Sequence, residues 1–220
     1  MSEKEQKRPL RIINSVAPIR ICDNGGWTDT WFAEYGKIFN IGVYPYAEVQ
    51  IEVCPYDDQE ERVVIYAENY GERYVRHLKK TTWDRHPLLE AAIERMGVPD
   101  DIAIQVTISC EAPAGASTGT SASVTVALVG ALDCLTSGRL TPHEVAYVAQ
   151  SIETEILKQQ CGIQDQLCAA AASTTLRCPS IPAPRCRGFR CPIPSGGSWS
   201  DGWPLFTWVN PITRPRCTKK

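Results

Sequence analysis

Hydrophobic and polar residues alternate along several stretches of the first 110 positions, and such alternation predicts β-strands. The predicted strands cover residues 10–18, 37–55, 62–68, 74–78 and 102–109. Pro45 interrupts the second stretch and predicts an edge or a bulge there, because proline cannot donate a hydrogen bond to a neighbouring strand. Asn69, Tyr70 and Gly71 can form the turn between the third and fourth strands.

Helical patterns lie between and after these strands. The predicted helices cover residues 87–96, 124–135, 142–158 and the Ala-rich end of 161–172. Gly97 is suited to end the first helix, because glycine readily takes the left-handed conformation found there. Thr141 predicts the start of the third helix, since Pro142 suits the first helical position and Glu144 completes a capping box.

Charge and proline content divide the chain near residue 172. Residues 1–172 carry 15 basic and 24 acidic side chains, whereas residues 173–220 carry 8 basic and 1 acidic. The second segment also holds 8 of the 16 prolines and shows neither alternation nor a helical period, which argues against any packed element. We therefore expect a polar leader at 1–9, one domain at 10–172 and a tail at 173–220 that is not a folded domain.

Size and apolar content limit the class of protein. The chain has 220 residues and is 43% hydrophobic, which is enough for the buried core of one or two ordinary domains. No stretch approaches the roughly 18 uninterrupted apolar residues of a membrane helix, and the charged start lacks the apolar segment of a secretory signal. We expect a soluble, cytoplasmic protein without a membrane partner.

The loop at residues 113–123, between a predicted strand and an apolar helix, is the first candidate site. Its small residues let backbone N–H groups approach a ligand, and the helix N-terminus adds partial positive charge, which suits a phosphate. The hydroxyl groups that could bind phosphate or a metal belong to Ser117, Thr118, Thr120, Ser121 and Ser123. The lysine of a Walker loop is missing. The residues alone also allow a small-residue helix start that packs against the sheet.

The segment at residues 17–29 (APIRICDNGGWTD) is the second candidate. It could present Arg20, Asp29 and the bare backbone of its two glycines to a polyol. The competing interpretation is a turn with an Arg–Asp pair at the surface, a pairing that contributes little energy. Trp27 and Trp31 could line a sugar site, although aromatic residues beside a loop commonly serve packing.

A third segment, GIQDQ at residues 162–166, places Asp165 at the start of a short helix, where a capping role is the ordinary explanation.

In this order and spacing, the three segments resemble the GHMP kinases, which include galactokinase, homoserine kinase and mevalonate kinase. APIRICDNGGWTD is similar to the first motif of the sugar-kinase branch, and PAGASTGTSAS is similar to the phosphate loop PxxxGLGSSA. IETEILKQQCGIQDQ resembles the galactokinase segment that carries an acidic metal ligand and, twelve residues later, the catalytic Asp.

This resemblance covers about residues 10–172 and implies an α+β fold, in which a mixed or antiparallel sheet has helices packed on one side. It makes Asp165 the catalytic base and Arg20 the cation beside the transferred phosphoryl group. Ser121 and Glu153 would coordinate Mg²⁺, with Glu155 as the rival of Glu153. The implied phosphate-binding residues are Pro113, Gly115, Ala116, Ser117, Thr118, Gly119, Thr120 and Ser121. The implied substrate-binding residues are Arg20, Gly25, Gly26, Asp29 and Asp165.

The resemblance implies an ATP- and Mg²⁺-dependent kinase that phosphorylates a hydroxyl of a sugar or sugar phosphate, since phosphoryl transfer depends mainly on positioning and charge neutralisation. The phosphate loop departs from the family at Ser117 and Thr118, where glycine and leucine are common. Family members normally continue into a second α/β portion. We therefore expect a chain truncated or frameshifted after about residue 172, with its C-terminal domain missing, a disordered tail and impaired activity.

A different class of function stays open. The chain could be a catalytically inactive, kinase-derived binding module whose basic tail recruits an acidic partner or nucleic acid. Nucleic acid is the less expected partner, because the tail lacks the regular interleaving of basic and aromatic residues that forms a stacking groove. The sequence leaves the identity of the sugar and the oligomeric state open.

Overall fold

The five predicted strands and one strand that was not predicted form one mixed sheet. The computed structural model describes residues 9–30, 33, 37–57, 61–78, 82–113, 115–136, 139–171 and 174–179. The strands are β1 (Arg11–Asn24), β2 (Phe39–Pro55), β3 (Val63–Ala67), β4 (Glu72–Val75), β5 (Ile102–Cys110) and β6 (Thr174–Pro179). Their order in the sheet is β4-β3-β5-β2-β1-β6, with β3 and β5 parallel and the other neighbours antiparallel.

Four helices follow the predicted positions. They are α1 (Pro87–Met96), α2 (Thr120–Asp133), α3 (Pro142–Ser151) and α4 (Gln164–Ala171), and α3 continues into a π-helical turn at Ile152–Ile156. The capping box is confirmed, because the Thr141 hydroxyl accepts the Glu144 N–H and the Glu144 carboxylate accepts the Thr141 N–H. Within the described residues, no helix combines the length and the apolar character needed to cross a membrane.

The helices cover one face of the sheet, as the resemblance implied. In β2, Val49, Ile51 and Val53 are 0–2% exposed, whereas the alternating residues Gln50 and Glu52 are only half-buried. Nine of the fourteen residues of α2 are buried, because this helix lies between the sheet and the other helices. Each large apolar side chain buried in this way stabilises the fold by about 1.5–3 kcal/mol. The predicted fold class is confirmed.

The predicted irregularity at Pro45 is a bulge in the β1–β2 pair. Pro18 pairs with Tyr46, but the next residue, Ile19, pairs with Val43, so two residues of β2 are left out of the ladder. Bulges bend a strand and redirect the side chains that follow. Beyond the bulge β1 continues to Asn24, six residues past the end of the strand predicted at 10–18.

One sequence expectation is wrong for six residues. Thr174–Pro179 lies in the segment predicted to lack packed elements, yet its backbone forms β6 against the outer edge of β1. The edge of β1 offers unpaired N–H and C=O groups, and proline at the end of an edge strand is tolerated. The expectations for the leader at 1–8 and for the tail from residue 180 lie outside the described residues.

Candidate active site

A cleft of about 430 Å³ lies at the N-terminal ends of α2 and α4. It brings together three segments that are far apart in the sequence: the end of β1 with its following loop, the 113–123 loop, and the stretch from Glu153 to Gln166. The predicted site residues that line it are Arg20, Asp29, Gly115, Ala116, Ser117, Thr118, Gly119, Thr120, Ser121, Glu153 and Asp165. The structure therefore collects most of the predicted site in one place.

The loop before α2 presents backbone rather than large side chains. Gly115, Ser117 and Gly119 have φ angles of 78°, 55° and 70°, and this left-handed backbone turns the chain tightly into the helix. Gly119 is the N-cap residue and provides no side-chain cap, so the first N–H groups of α2 remain available to a ligand. A fourteen-residue helix also directs a partial positive charge toward the cleft. This arrangement suits a phosphate group.

Arg20 joins the first strand to both other segments. Its Nε donates to Asp165 Oδ1 at 2.6 Å and its Nη2 donates to Asp165 Oδ2 at 2.9 Å. Its Nη1 donates to the Ser117 carbonyl at 2.7 Å, and its backbone N–H donates to the Thr118 carbonyl at 2.9 Å. Burial lowers the pKa of Arg20, but the hydrogen bonds and charge of Asp165 outweigh that effect and raise it overall. The guanidinium therefore stays charged beside the loop at residues 113–123.

Gly119 lies directly against this ion pair. A Cβ at residue 119 would be 3.2 Å from the Cγ atoms of both Arg20 and Asp165 and from Asp165 Oδ2. Such distances are shorter than ordinary van der Waals contacts. Glycine thus allows the loop at residues 113–123 and the Arg20–Asp165 pair to lie in close contact.

Asp29 is 6% exposed and holds the start of α4. Its Oδ2 accepts the Gln164 N–H at 2.8 Å, which satisfies one of the free donors at that helix end. Its Oδ1 is buried without a hydrogen-bond partner among the described residues. Gly162 is needed for this contact, because a Cβ there would overlap the Asp29 carboxylate.

Glu153 lies in the π-helical turn after α3 and is 5% exposed. Its Oε1 accepts from Gln166 Nε2 at 2.8 Å. Burial raises the pKa of Glu153, and the Gln166 hydrogen bond offsets part of this rise. Burial and the nearby Glu153 charge raise the pKa of the Cys161 thiol to about 12. The rival residue, Glu155, is exposed and is not among the residues that line the cleft.

Mg²⁺ fits the oxygen donors of this cleft. The Ser121 hydroxyl and the Glu153 carboxylate are hard oxygen ligands, which Mg²⁺ prefers. In the described part of the chain, no group of three or more His, Cys, Asp or Glu side chains could hold a metal ion. A magnesium ion bound here would take its other oxygens from phosphates and water, as Mg²⁺ usually does.

Several predicted residues take other places. Pro113, Gly25 and Gly26 are absent from the cleft lining. Gly25 serves the loop itself, because its φ is 83° and a Cβ there would overlap the Lys37 carbonyl. The Ser123 hydroxyl is buried and donates to the Pro18 carbonyl at 2.6 Å, so it ties α2 to β1 rather than facing a ligand.

Sequence reasoning missed some residues of the cleft, and Trp31 lies outside the described residues. The residues without a predicted role are Thr30, Ala122, Gln160, Cys161, Gly162, Gln164 and Gln166. The sequence allowed two interpretations of Trp27, sugar binding and packing. Trp27 lines the cleft and is 61% exposed. Gly162 and Gln166 lie close to Asp165 in the sequence, and this proximity is the one feature that could have predicted that they line the cleft.

A comparison with protein-family models tests the resemblance that the motifs suggest. The model of the GHMP kinases N terminal domain matches residues 79–173. This part of the chain is similar to a GHMP kinase N-terminal domain. The matched residues include the loop at 113–123, Glu153 and Asp165, which confirms the resemblance drawn from those motifs. Arg20 and Asp29 precede the matched range, so their place in the site depends on the fold.

Several solved structures share the fold of this chain. A D-glycero-D-manno-heptose 1-phosphate kinase from Bacteriodes thetaiotaomicron matches with a TM-score of 0.61 and 23% identity over 72% of this chain and 53% of that chain. Lactococcus lactis galactokinase complexed with galactose matches with a TM-score of 0.59 and 18% identity over 76% of this chain and 47% of that chain. Methanococcus jannaschii mevalonate kinase matches with a TM-score of 0.58 and 17% identity over 79% of this chain and 54% of that chain.

These matches cover only part of each solved structure. The chain spans about half the length of these three solved structures. At such identities the likeness shows the fold alone. A search of curated proteins finds no match to this chain.

Proposed function

We propose that this chain is part of an ATP-dependent kinase of the GHMP type that phosphorylates a hydroxyl of a sugar or sugar phosphate. The observation that carries the proposal is the Arg20–Asp165 pair, which lies against the phosphate loop at the start of α2. A carboxylate, a fixed cation and free helix N–H groups within one cleft are the groups that phosphoryl transfer requires.

Asp165 would accept the proton of the attacking hydroxyl. Each carboxylate oxygen can take more than one hydrogen bond, so the two bonds from Arg20 leave acceptor sites on Asp165 for a substrate hydroxyl. The two bonds also fix the plane of the carboxylate. A base held in this way approaches the acceptor hydroxyl in one orientation, which favours an in-line attack.

Arg20 and the start of α2 would stabilise the negative charge that spreads over the transferred phosphoryl oxygens. Nη1 of Arg20 is held by the Ser117 carbonyl, so its charge lies at the phosphate loop in advance of the reaction. Mg²⁺, held by Ser121 and Glu153, would supply further charge neutralisation of the ATP phosphates. Glu153 must then be ionised; burial raises its pKa, and the hydrogen bond from Gln166 offsets only part of that rise.

The acceptor would bind beside Asp29 and Trp27. Asp29 Oδ1 is a buried carboxylate oxygen without a partner among the described residues, and a sugar hydroxyl is a suitable donor for it. Trp27 offers an aromatic face at the rim of the cleft, which suits the apolar face of a sugar ring. The heptose phosphate kinase and galactokinase among the structural relatives agree with an acceptor of this kind.

The experiment is a phosphoryl-transfer assay with the full 220-residue chain, γ-labelled ATP and a panel of acceptors. The panel contains neutral hexoses, sugar 1-phosphates and the non-sugar alcohol mevalonate. We expect Mg²⁺-dependent transfer to at least one sugar or sugar phosphate. Transfer to mevalonate alone would contradict the sugar assignment, and a folded chain that transfers phosphate to none of them would contradict the kinase assignment.

The binding-module interpretation depends on the basic tail, which lies outside the described residues apart from the β6 backbone. No described side chain favours it over the kinase. A cytoplasmic location stays a prediction of the sequence.

A further inference from the structure

We propose that Gln166 is a positioning residue that fixes the Glu153 carboxylate as the magnesium ligand of the cleft. This inference rests on the proposed function, because it assumes that Glu153 binds Mg²⁺. Gln166 belongs to the first turn of α4, whereas Glu153 belongs to the π-helical turn after α3. Both residues line the cleft, and a single hydrogen bond of 2.8 Å joins their side chains.

The partner determines the orientation of the Gln166 amide. The amide nitrogen of Gln166 faces Glu153 and donates to Oε1, so the amide oxygen faces away; this is the orientation that suits an ionised carboxylate, which only accepts hydrogen bonds. The bond takes one oxygen of Glu153, Oε1, and thereby sets the rotation of the carboxylate. The direction of the second oxygen follows from that rotation. Gln166 therefore controls how Glu153 can meet a metal ion.

The arrangement is poorly explained by stability alone. Gln166 is 2% exposed, and its Oε1 is buried without a hydrogen-bond partner among the described residues. An unsatisfied buried acceptor destabilises the folded protein, whereas two apolar residues of similar size in place of such a pair are often neutral or stabilising. A glutamine that incurs this cost while it holds a buried carboxylate is expected where the carboxylate has a chemical task.

The position on α4 couples two parts of the proposed reaction. Gln166 follows Asp165 directly, so the same helical turn carries the proposed base and the amide that orients the proposed metal ligand. Asp29 accepts the Gln164 N–H, which anchors this turn to the loop after β1. A displacement of the start of α4 would consequently move the base and release the carboxylate together.

The test measures Mg²⁺-dependent binding of a fluorescent ADP analogue to the full chain, which requires no turnover. Gln166→Met keeps the size and removes the amide, and removal of such an orienting partner typically weakens metal binding by about tenfold or more. We expect the Mg²⁺ concentration at half-maximal nucleotide binding to rise by about that factor. Gln166→Asn, which keeps an amide too short to reach Glu153, should behave in the same way and guards against misfolding of the first variant.

Gln50→Met is the matched control. Gln50 also donates a side-chain hydrogen bond of 2.8 Å, to Asn14, but it lies on β2 outside the cleft lining. We expect its Mg²⁺ requirement to stay within about twofold of the wild type. In a Glu153→Gln background, Gln166→Met should add no further loss, because a residue that acts through Glu153 has no effect once the carboxylate is gone.

The outcomes separate the inference from the proposed function. A wild-type chain that needs Mg²⁺ for nucleotide binding, with unchanged requirements in Gln166→Met and Gln166→Asn, overturns the positioning role and leaves the kinase intact. A further loss from Gln166→Met in the Glu153→Gln background also overturns it. A folded wild-type chain that shows no Mg²⁺-dependent nucleotide binding overturns the proposed function and this inference with it.

Discussion

Because Gly119 lies against the Arg20–Asp165 pair, its substitution by alanine should destabilise the fold more than the same substitution at a second glycine that lacks such a contact. Gly119 and Gly71 both have left-handed backbone, with φ angles of 70° and 62°. A Cβ at residue 119 would meet Arg20 and Asp165 at 3.2 Å, whereas a Cβ at residue 71 would meet nothing within 4 Å. Gly119→Ala and Gly71→Ala therefore share the backbone strain and differ in the contact.

The expected magnitudes follow from this comparison. Left-handed backbone costs an alanine about 1–2 kcal/mol, and the reduced entropy of the unfolded chain returns part of that. We expect Gly71→Ala to lower the free energy of unfolding by about 1 kcal/mol. At residue 119 the pair must also move by a few tenths of an ångström, which weakens a charge-assisted hydrogen bond by about 1–2 kcal/mol more, since Arg20 and Asp165 are 16% and 23% exposed.

Urea denaturation of both variants, followed by far-ultraviolet circular dichroism, measures the difference. We expect Gly119→Ala to lose about twice the free energy of unfolding that Gly71→Ala loses, or about 2–3 kcal/mol in total. Equal losses in the two variants would refute the reasoning, because they would mean that the loop at residues 113–123 does not depend on close contact with the Arg20–Asp165 pair.

Two further predictions concern the loop after β1 and helix α3. Gly162→Ala should lower the free energy of unfolding by about 2–4 kcal/mol, because Asp29 must leave the start of α4. Gly26→Ala is the control, because a Cβ at residue 26 would make only ordinary van der Waals contacts. Equal urea midpoints of the two variants would contradict the predicted overlap between a Cβ at residue 162 and Asp29. The Thr141 N–H and hydroxyl lower the pKa of Glu144, so its contribution to stability is present above about pH 4.5 and is lost as pH falls through the lowered pKa. The urea midpoint of Glu144→Gln should consequently fall less than that of the wild type between neutral pH and about pH 3, and parallel pH profiles would count against the capping contribution.

Local physics made most of the elements predictable. Alternation identified β1 to β5, and the Thr141 capping box marked the start of α3 within one residue. The end of β1 was harder to predict, because its continuation to Asn24 depends on pairing with β2 beyond the bulge. The same holds for β6, since a segment without alternation becomes a strand where β1 offers an open edge.

The contacts of the candidate site were less predictable from the local sequence than the strands and helices were. Arg20 and Asp165 are 145 positions apart, and no periodicity or local spacing indicates that they meet. Only the resemblance to a family placed both residues in one site, and it did not predict that they pair. Gly162 and Gln166 escaped prediction because their roles come from the carboxylates of Asp29 and Glu153, which reach them from distant segments. Sequence position alone does not indicate such contacts.

The central claim is that Asp165 is the base of a phosphoryl transfer in this cleft, and Asp165→Asn tests it most directly. The asparagine keeps the size of the side chain and can still accept from Arg20 through its oxygen, but it cannot take up a proton. We expect nucleotide affinity within about threefold of the wild type and a loss of transfer to the preferred acceptor of about 10²–10⁴-fold, measured with γ-labelled ATP. Transfer at the wild-type rate by Asp165→Asn would contradict the account.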